Sequence, residues 1–298
     1  MASAVHVYSY SGMQGEMGGE MEGTSPSHEH ALPPAVMTVP CQRYFEDHWR
    51  LIGFVGFVSQ LATERDETAN IAAKVLYETA NDEDEREKHR QILEQEGVGA
   101  LKTLRSFRQL LLQLVATRGA EDFLLYISEL LALVFRSRPE TLRSNEQVRL
   151  DLILQHDTME NLVSDLAERK VQSLSYQGMR DVATWVQERL GLKLLSNPVS
   201  LERTVRIIEV RNLIAHNRAV VNRLFLTRVP DSPAAIGDVL NLNVNDVFDD
   251  LEFLGQAVAD LDERCVAKLG LAATIRREDL QPLPNLSARG GMKGNAKA

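Results

Sequence analysis

Residues 244–261 read VNDVFDDLEFLGQAVADL, with Val244, Val247, Phe248, Leu251, Leu254, Val258 and Leu261 three or four residues apart. An α-helix turns once in about 3.6 residues, so this spacing puts all seven on one face. Asn and Asp residues just upstream supply an N-cap. A helix with one apolar face is stable only where other elements cover that face, so the rest of the chain has to provide partners.

It provides several. Glu121 to Phe135 carries Leu124, Ile127, Leu131 and Val134 at the same period, and Leu101, Leu104, Phe107, Leu111, Leu114 and Val115 form a stripe ahead of it. Residues 43–78 read as one or two helices, with Leu51, Val55, Val58, Leu61, Ile71 and Val75 as apolar positions. The charged run from Asn81 to Glu96 reads as a solvated helix. Beyond the break at Pro139, helices are expected through Leu152, Leu162 and Leu166 to Val171. A cap at Ser173-Leu174-Ser175 should then open a helix through Met179, Val182, Trp185 and Val186 that stops at Gly191. Pro198 and Ser200 introduce another, with Leu201, Val205, Ile208 and Leu213 on its apolar side.

The expected fold is therefore all-α: an antiparallel helical bundle with an additional N-terminal helical region and disordered termini. Residues 1–40, low in aliphatics and rich in Gly, Met, Glu and Ser, read as a disordered arm. Residues 41–138 form the N-terminal helical region, 139–280 the bundle domain, and 281–298 a flexible basic tail. The polar, proline-broken Ser137-Arg138-Pro139-Glu140 suggests the boundary.

Composition narrows the function. The 298 residues are 44% hydrophobic, 25% charged and 6% aromatic, a globular and helix-favouring balance. No apolar run approaches the roughly 18 residues a bilayer needs, and no secretory signal is visible, so a cytoplasmic location is expected and no membrane partner. Cys41 and Cys265 have no metal-ligand spacing and imply no disulfide framework. A net charge of −9 argues against a surface that coats nucleic acid throughout. From Glu202 to Arg228, however, six arginines (203, 206, 211, 218, 223 and 228) face two acids, Glu202 and Glu209, a local excess of +4.

That segment holds the sharpest chemical feature, Arg211-Asn212-Leu213-Ile214-Ala215-His216. Residues five apart on a helix are rotated by about 140° and separated by about 7.5 Å of rise. A two-fold dimer on that side would gather two arginines and two histidines in one cleft. Histidine can take a proton from a ribose 2′-OH or return one to a leaving 5′-oxygen. Arginine can hold the phosphate and stabilise its developing charge. Asn212 and Asn217 flank the pair and could orient phosphate or imidazole, while Arg206, Arg218 and Arg223 could guide RNA. Glu209 reads as a surface residue rather than a base.

The run from Ile208 to Arg218 resembles the HEPN superfamily (higher eukaryotes and prokaryotes nucleotide-binding), all-helical domains marked by Arg, a polar residue, a short spacer and His. Val220 to Leu226 and the helix within Leu174 to Leu194 are also similar to bacterial members. The resemblance spans roughly residues 100–270, with about 20 positions carrying the specific signature. It implies a dimeric, metal-independent endoribonuclease without cofactors, a toxin or an anti-phage or stress effector, with Arg211 and His216 catalytic and Asn212 the polar neighbour. RNA, a second copy and a neutralising or regulatory protein are the implied partners. Some relatives carry tyrosine two residues past the histidine, where Arg218 stands here. The alternative is a non-catalytic HEPN-like module for protein interaction or nucleotide binding.

Other candidates carry less. His28-Glu29-His30 lacks a third metal ligand. His156-Asp157, and His48 beside Asp47 and Trp49, are isolated. No phosphate-cradling glycine loop and no Gly-x-Ser-x-Gly nucleophile motif is present.

Overall fold

A computed structural model describes residues 31–94, 99–143, 147–175 and 177–280. The protein is mostly helical, with ten α-helices among the described residues. They are α1 (Val39–Thr79), α2 (Glu83–Glu94), α3 (Ala100–Ser106), α4 (Arg108–Ser137), α5 (Leu150–Leu154), α6 (Met159–Ser175), α7 (Met179–Leu190), α8 (Pro198–Asn217), α9 (Arg223–Arg228) and α10 (Val244–Leu269). Two short strands, β1 (Val36–Met37) and β2 (Ile275–Arg276), pair antiparallel. None of the described helices is long and apolar enough to cross a membrane.

The 30-residue α4 is the organising element, packing against α1, α6, α8 and α10. Its Phe123, Tyr126, Ile127, Leu130, Leu131, Val134 and Phe135 are all buried, a face wide enough to serve several neighbours. They join Tyr44 and Phe45 of α1, Val186 of α7, Val205 and Ile208 of α8, and Leu254, Val258 and Leu261 of α10 in one cluster. This cluster draws from both sides of the boundary expected at residue 139. A second cluster seats Val244, Val247, Phe248 and Leu251 of α10 against Val55, Leu112 and Val115.

Residues 31–40 correct the expected extent of the arm. Met37 and Thr38 are fully buried, β1 is paired, and α1 begins at Val39 with Thr38 as its N-cap. The physical reason is a buried carboxylate: Asp262 of α10 accepts from the Thr38 backbone N–H at 3.0 Å and from its hydroxyl at 2.5 Å. Averaging over forty residues hid this anchor behind the Gly, Ser and Glu of positions 1–30, which lie outside the described residues, as do residues 281–298.

Other boundaries shift for local reasons. Residues 43–78 lie in a single 41-residue helix, whose Asp66 accepts from the Ala100 and Leu101 backbone N–H groups and so caps α3. The stripe from Leu101 to Val115 is broken at Phe107, where the backbone leaves helical geometry (φ −94°, ψ 6°) and α4 starts. Ser173-Leu174-Ser175 is no cap. It forms the last turn of α6, and Gly178 in extended conformation begins α7 instead. The stop at Gly191 is in place, with φ at +63° where only glycine is unstrained. Asn197 caps α8 ahead of Pro198, and Asn243 caps α10.

Candidate functional site

Helix α8 carries Arg211, Asn212, His216 and Asn217 on its last two turns. Its inner face holds Thr204, Val205, Ile207 and Ile208, while Leu213, midway between the arginine and the histidine, is 3% exposed. Leu213 packs with Val221, Phe225 and Val229 in a small separate cluster beneath the loop and α9. The end of α8 is therefore clamped from both sides, and Arg211 and His216 lie on either side of that clamp.

Arg211 faces α4. Its guanidinium donates to Glu121 Oε1 at 2.8 Å and to Asn212 Oδ1 at 3.1 Å, and its side chain retains 23% exposure. The Nε atom is buried without a hydrogen-bond partner. One edge of the guanidinium is thus fixed by a carboxylate and an amide while another donor stays unused. His216, in the final turn, is exposed. Its ring makes no hydrogen bond or ion pair with any described residue.

Beyond His216 the chain stops abruptly. Arg218 and Ala219 both adopt left-handed backbone, at φ +52° and +60°. The Ala219 N–H donates to the Leu213 carbonyl at 2.9 Å, closing the helix end. Asn217 Nδ2 donates to the Val220 carbonyl, so that amide serves the turn. Asn222 caps α9 through its side chain, which accepts from Phe225 N at 2.9 Å.

Four of the six arginines of residues 202–228 are held in ion pairs, two of them by an acid of α10. Arg203 and Arg206 both pair with Asp250 of α10, at 3.0 Å and 2.7 Å. Arg228 pairs at 2.8 Å with Glu209, whose burial corrects the expectation of a surface position: it is 6% exposed. Arg180 of α7 pairs with Glu202. Asp250 keeps a pKa above the ordinary carboxylate range because burial outweighs its two arginines. Among the described residues, the cations of this segment without a carboxylate partner are Arg218 and Arg223, and both are exposed.

The structure thus brings Arg211, Asn212, His216 and Arg218 together at one helix end and commits Arg206 to a different ion pair. Glu121 was missed by sequence reasoning. It lies ninety residues upstream, and only the α4–α8 contact joins it to Arg211. It could have been picked out as the sole charge on the α4 surface stripe of Leu110, Leu114 and Leu125, positions that fall within about 60° around the helix.

His48, His156 and the two cysteines are engaged within the fold. His48 is buried and stacked on Tyr44 with ring centroids 5.6 Å apart. His156 Nε2 lies 3.3 Å from Asp165. Cys41 and Cys265 are free and buried; burial raises both thiol pKa values, that of Cys265 to about 12. His28-Glu29-His30 lies outside the described residues. No group of three or more His, Cys, Asp or Glu among the described residues is placed to hold a metal ion.

No family model matches the chain, and neither a curated protein nor a solved structure shows significant similarity to it.

Proposed function

We propose that this protein is a metal-independent endoribonuclease of the HEPN type, with its helices forming an HEPN-like bundle and Arg211 and His216 acting together across a dimer. The observation that carries this reading is an exposed imidazole and a held, part-exposed guanidinium on consecutive turns of one clamped helix. In the reaction, the His216 imidazole takes the proton of a ribose 2′-OH. The 2′-oxygen attacks the adjacent phosphorus, and the P–O5′ bond breaks as a second histidine, that of the partner copy in its protonated imidazolium form, gives a proton to the departing 5′-oxygen. Arg211 donates to the non-bridging oxygens as charge accumulates there, fixed in place by Glu121 and Asn212. The ends are a 2′,3′-cyclic phosphate and a 5′-hydroxyl.

The dimer has its own support. Leu110, Leu114 and Leu125 are 54%, 58% and 52% exposed, and they flank Glu121 on the outer face of α4. An apolar stripe of this length on both sides of the Glu121–Arg211 pair fits a self-complementary two-fold contact that brings two sites together. A second reading, a non-catalytic interaction module, is favoured by the same ion pair, which leaves Arg211 only partly available to a phosphate.

One experiment separates the two. Purified protein is incubated with single-stranded RNA in excess EDTA, and the product ends are analysed beside the His216→Ala variant. Cyclic phosphate ends from wild type, lost in the variant, are expected. Cleavage that survives His216→Ala, or that requires a divalent ion, overturns the mechanism. Intact RNA with wild type leaves the interaction module.

A further inference from the structure

A cleft of about 550 Å³ lies between the chain after α4, α6 and α7, away from the α8 site. Arg143, Arg149, Arg169, Lys170 and Arg189 line it, together with the indole of Trp185. Among the described residues that line it, Asp151 is the one carboxylate against five cations, in a chain whose net charge is −9. Trp185 packs edge-on to Phe135 at the end of α4 with centroids 5.6 Å apart. Glu121 and Phe135 are fourteen residues apart on α4, which puts this cleft about 21 Å along the helix from the Arg211–Glu121 pair.

The charge in the cleft is only partly satisfied. Arg149 pairs with Asp151 at 2.8 Å and Arg169 with Asp165 at 2.8 Å. The Lys170 ammonium lies over the Trp185 ring, 5.6 Å from its centroid. Arg189 has no acid among the described residues. Its guanidinium donates to the neutral backbone carbonyl of Arg143 at 2.7 Å, and the Arg143 side chain likewise has no ion pair there. Arg143 and Arg189 thus line one wall without an acid partner among the described residues, beside an aromatic surface.

We infer that this cleft binds a nucleoside polyphosphate, its phosphates held by Arg143 and Arg189 and its nucleoside packed against Trp185. Forked guanidiniums match phosphate oxygens two at a time, and the indole supplies apolar surface that inorganic anions do not use. The volume lies in the range that small ligands fill. The inference is independent of the ribonuclease reading, because the two sites share no residue.

The protein contains two tryptophans, so Trp49→Phe leaves Trp185 as the only indole. Fluorescence of that variant is followed during titration with ATP, tripolyphosphate, adenosine and a short single-stranded RNA, all in EDTA. A saturable change with ATP is expected, with tripolyphosphate weaker and adenosine weaker still. Arg143→Ala with Arg189→Ala should weaken ATP at least about tenfold, the worth of one charge-assisted hydrogen bond. Arg149→Glu, at an 84% exposed side chain that folding does not depend on, should weaken it too. His216→Ala should leave it unchanged. No saturable change with ATP, equal binding of tripolyphosphate, response to RNA alone, or loss in His216→Ala while the arginine variants still bind would each overturn the assignment.

Discussion

Arg218 stands where the chain would be more stable with glycine. A non-glycine residue in left-handed backbone costs about 1 kcal/mol or more, and glycine is the usual residue at this helix-end position. Its guanidinium has no ion pair among the described residues to offset that strain. Arg218→Gly should therefore raise stability by about 0.5–1 kcal/mol in urea unfolding, with the looser unfolded chain offsetting part of the gain. If Arg218 contacts RNA phosphates, the same variant should bind RNA several-fold more weakly and show a shallower dependence of affinity on salt. Unchanged RNA affinity would remove Arg218 from the interface. A second residue-scale effect comes from Asp122, 4% exposed on α4. Burial, opposed by Arg118 and reinforced by Asp47, raises its pKa from the ordinary 3.8 to about 6. The folded state then holds a proton that the unfolded state releases between these values, so the stability linked to this proton is present below about pH 4 and lost as pH rises through about 6. Thermal melts should show stability rising as pH falls from 7 to 5, and Asp122→Asn should flatten that rise. The loss of its 2.7 Å contact with Arg118 should cost most at pH 7, where the carboxylate is charged.

Elements were legible in proportion to how local their causes are. Gly191, Pro198 and the apolar period of 244–261 mark their helices because caps and periodicity act within a few residues. The break at Phe107 was not legible, since the apolar period runs on through it. Nor was the start of α7 at Gly178, because Ser173 and Ser175 just ahead of it are residues of the capping type. The anchoring of residues 31–40 was hidden for a different reason. Thr38 acts as an N-cap by accepting from the Cys41 N–H at 3.3 Å, yet its hydroxyl proton goes to Asp262, 224 residues away. One side chain thus starts α1 and fastens it to α10, where the Tyr126 hydroxyl also reaches Asp262 at 3.4 Å. Thr38→Val keeps the shape and removes both bonds, leaving Asp262 with one donor fewer in a buried site. Loss of the cap and of a buried charged acceptor's partner together predict a cost of about 2–3 kcal/mol. Chemical unfolding of Thr38→Val beside Thr38→Ser tests this, because serine restores both bonds and should recover most of the stability.

At the scale of the whole molecule, the candidate site could be read in its chemistry but not in its surroundings. Arg211 and His216 stand out by spacing on one helix. What the sequence could not show is that Arg203, Arg206 and Arg228 are tied to Asp250 and Glu209, because those acids are paired by tertiary contacts. With Arg211 paired to Glu121, the cations of this segment left without a carboxylate among the described residues are Arg218 and Arg223, too little to hold RNA by charge alone, and duplication of the site becomes a physical requirement of the proposed reaction. The outer face of α4 offers an apolar contact next to Arg211, and Leu114, 58% exposed, lies on the Glu121 side of that helix. A stable two-fold contact needs about 1,000 Å² or more, and a charge at its centre is costly because it is desolvated without a partner. Leu114→Glu should thus convert a protein of twice the monomer mass into a monomer in analytical ultracentrifugation. Its helix content and melting temperature should remain near wild type, since an exposed side chain contributes little to the monomer. Cleavage should fall with the dimer and return in part as protein concentration is raised, because mass action then repopulates the paired state. A monomeric Leu114→Glu that cleaves RNA at the wild-type rate would show that one copy of Arg211 and His216 suffices and that the α4 face serves another contact.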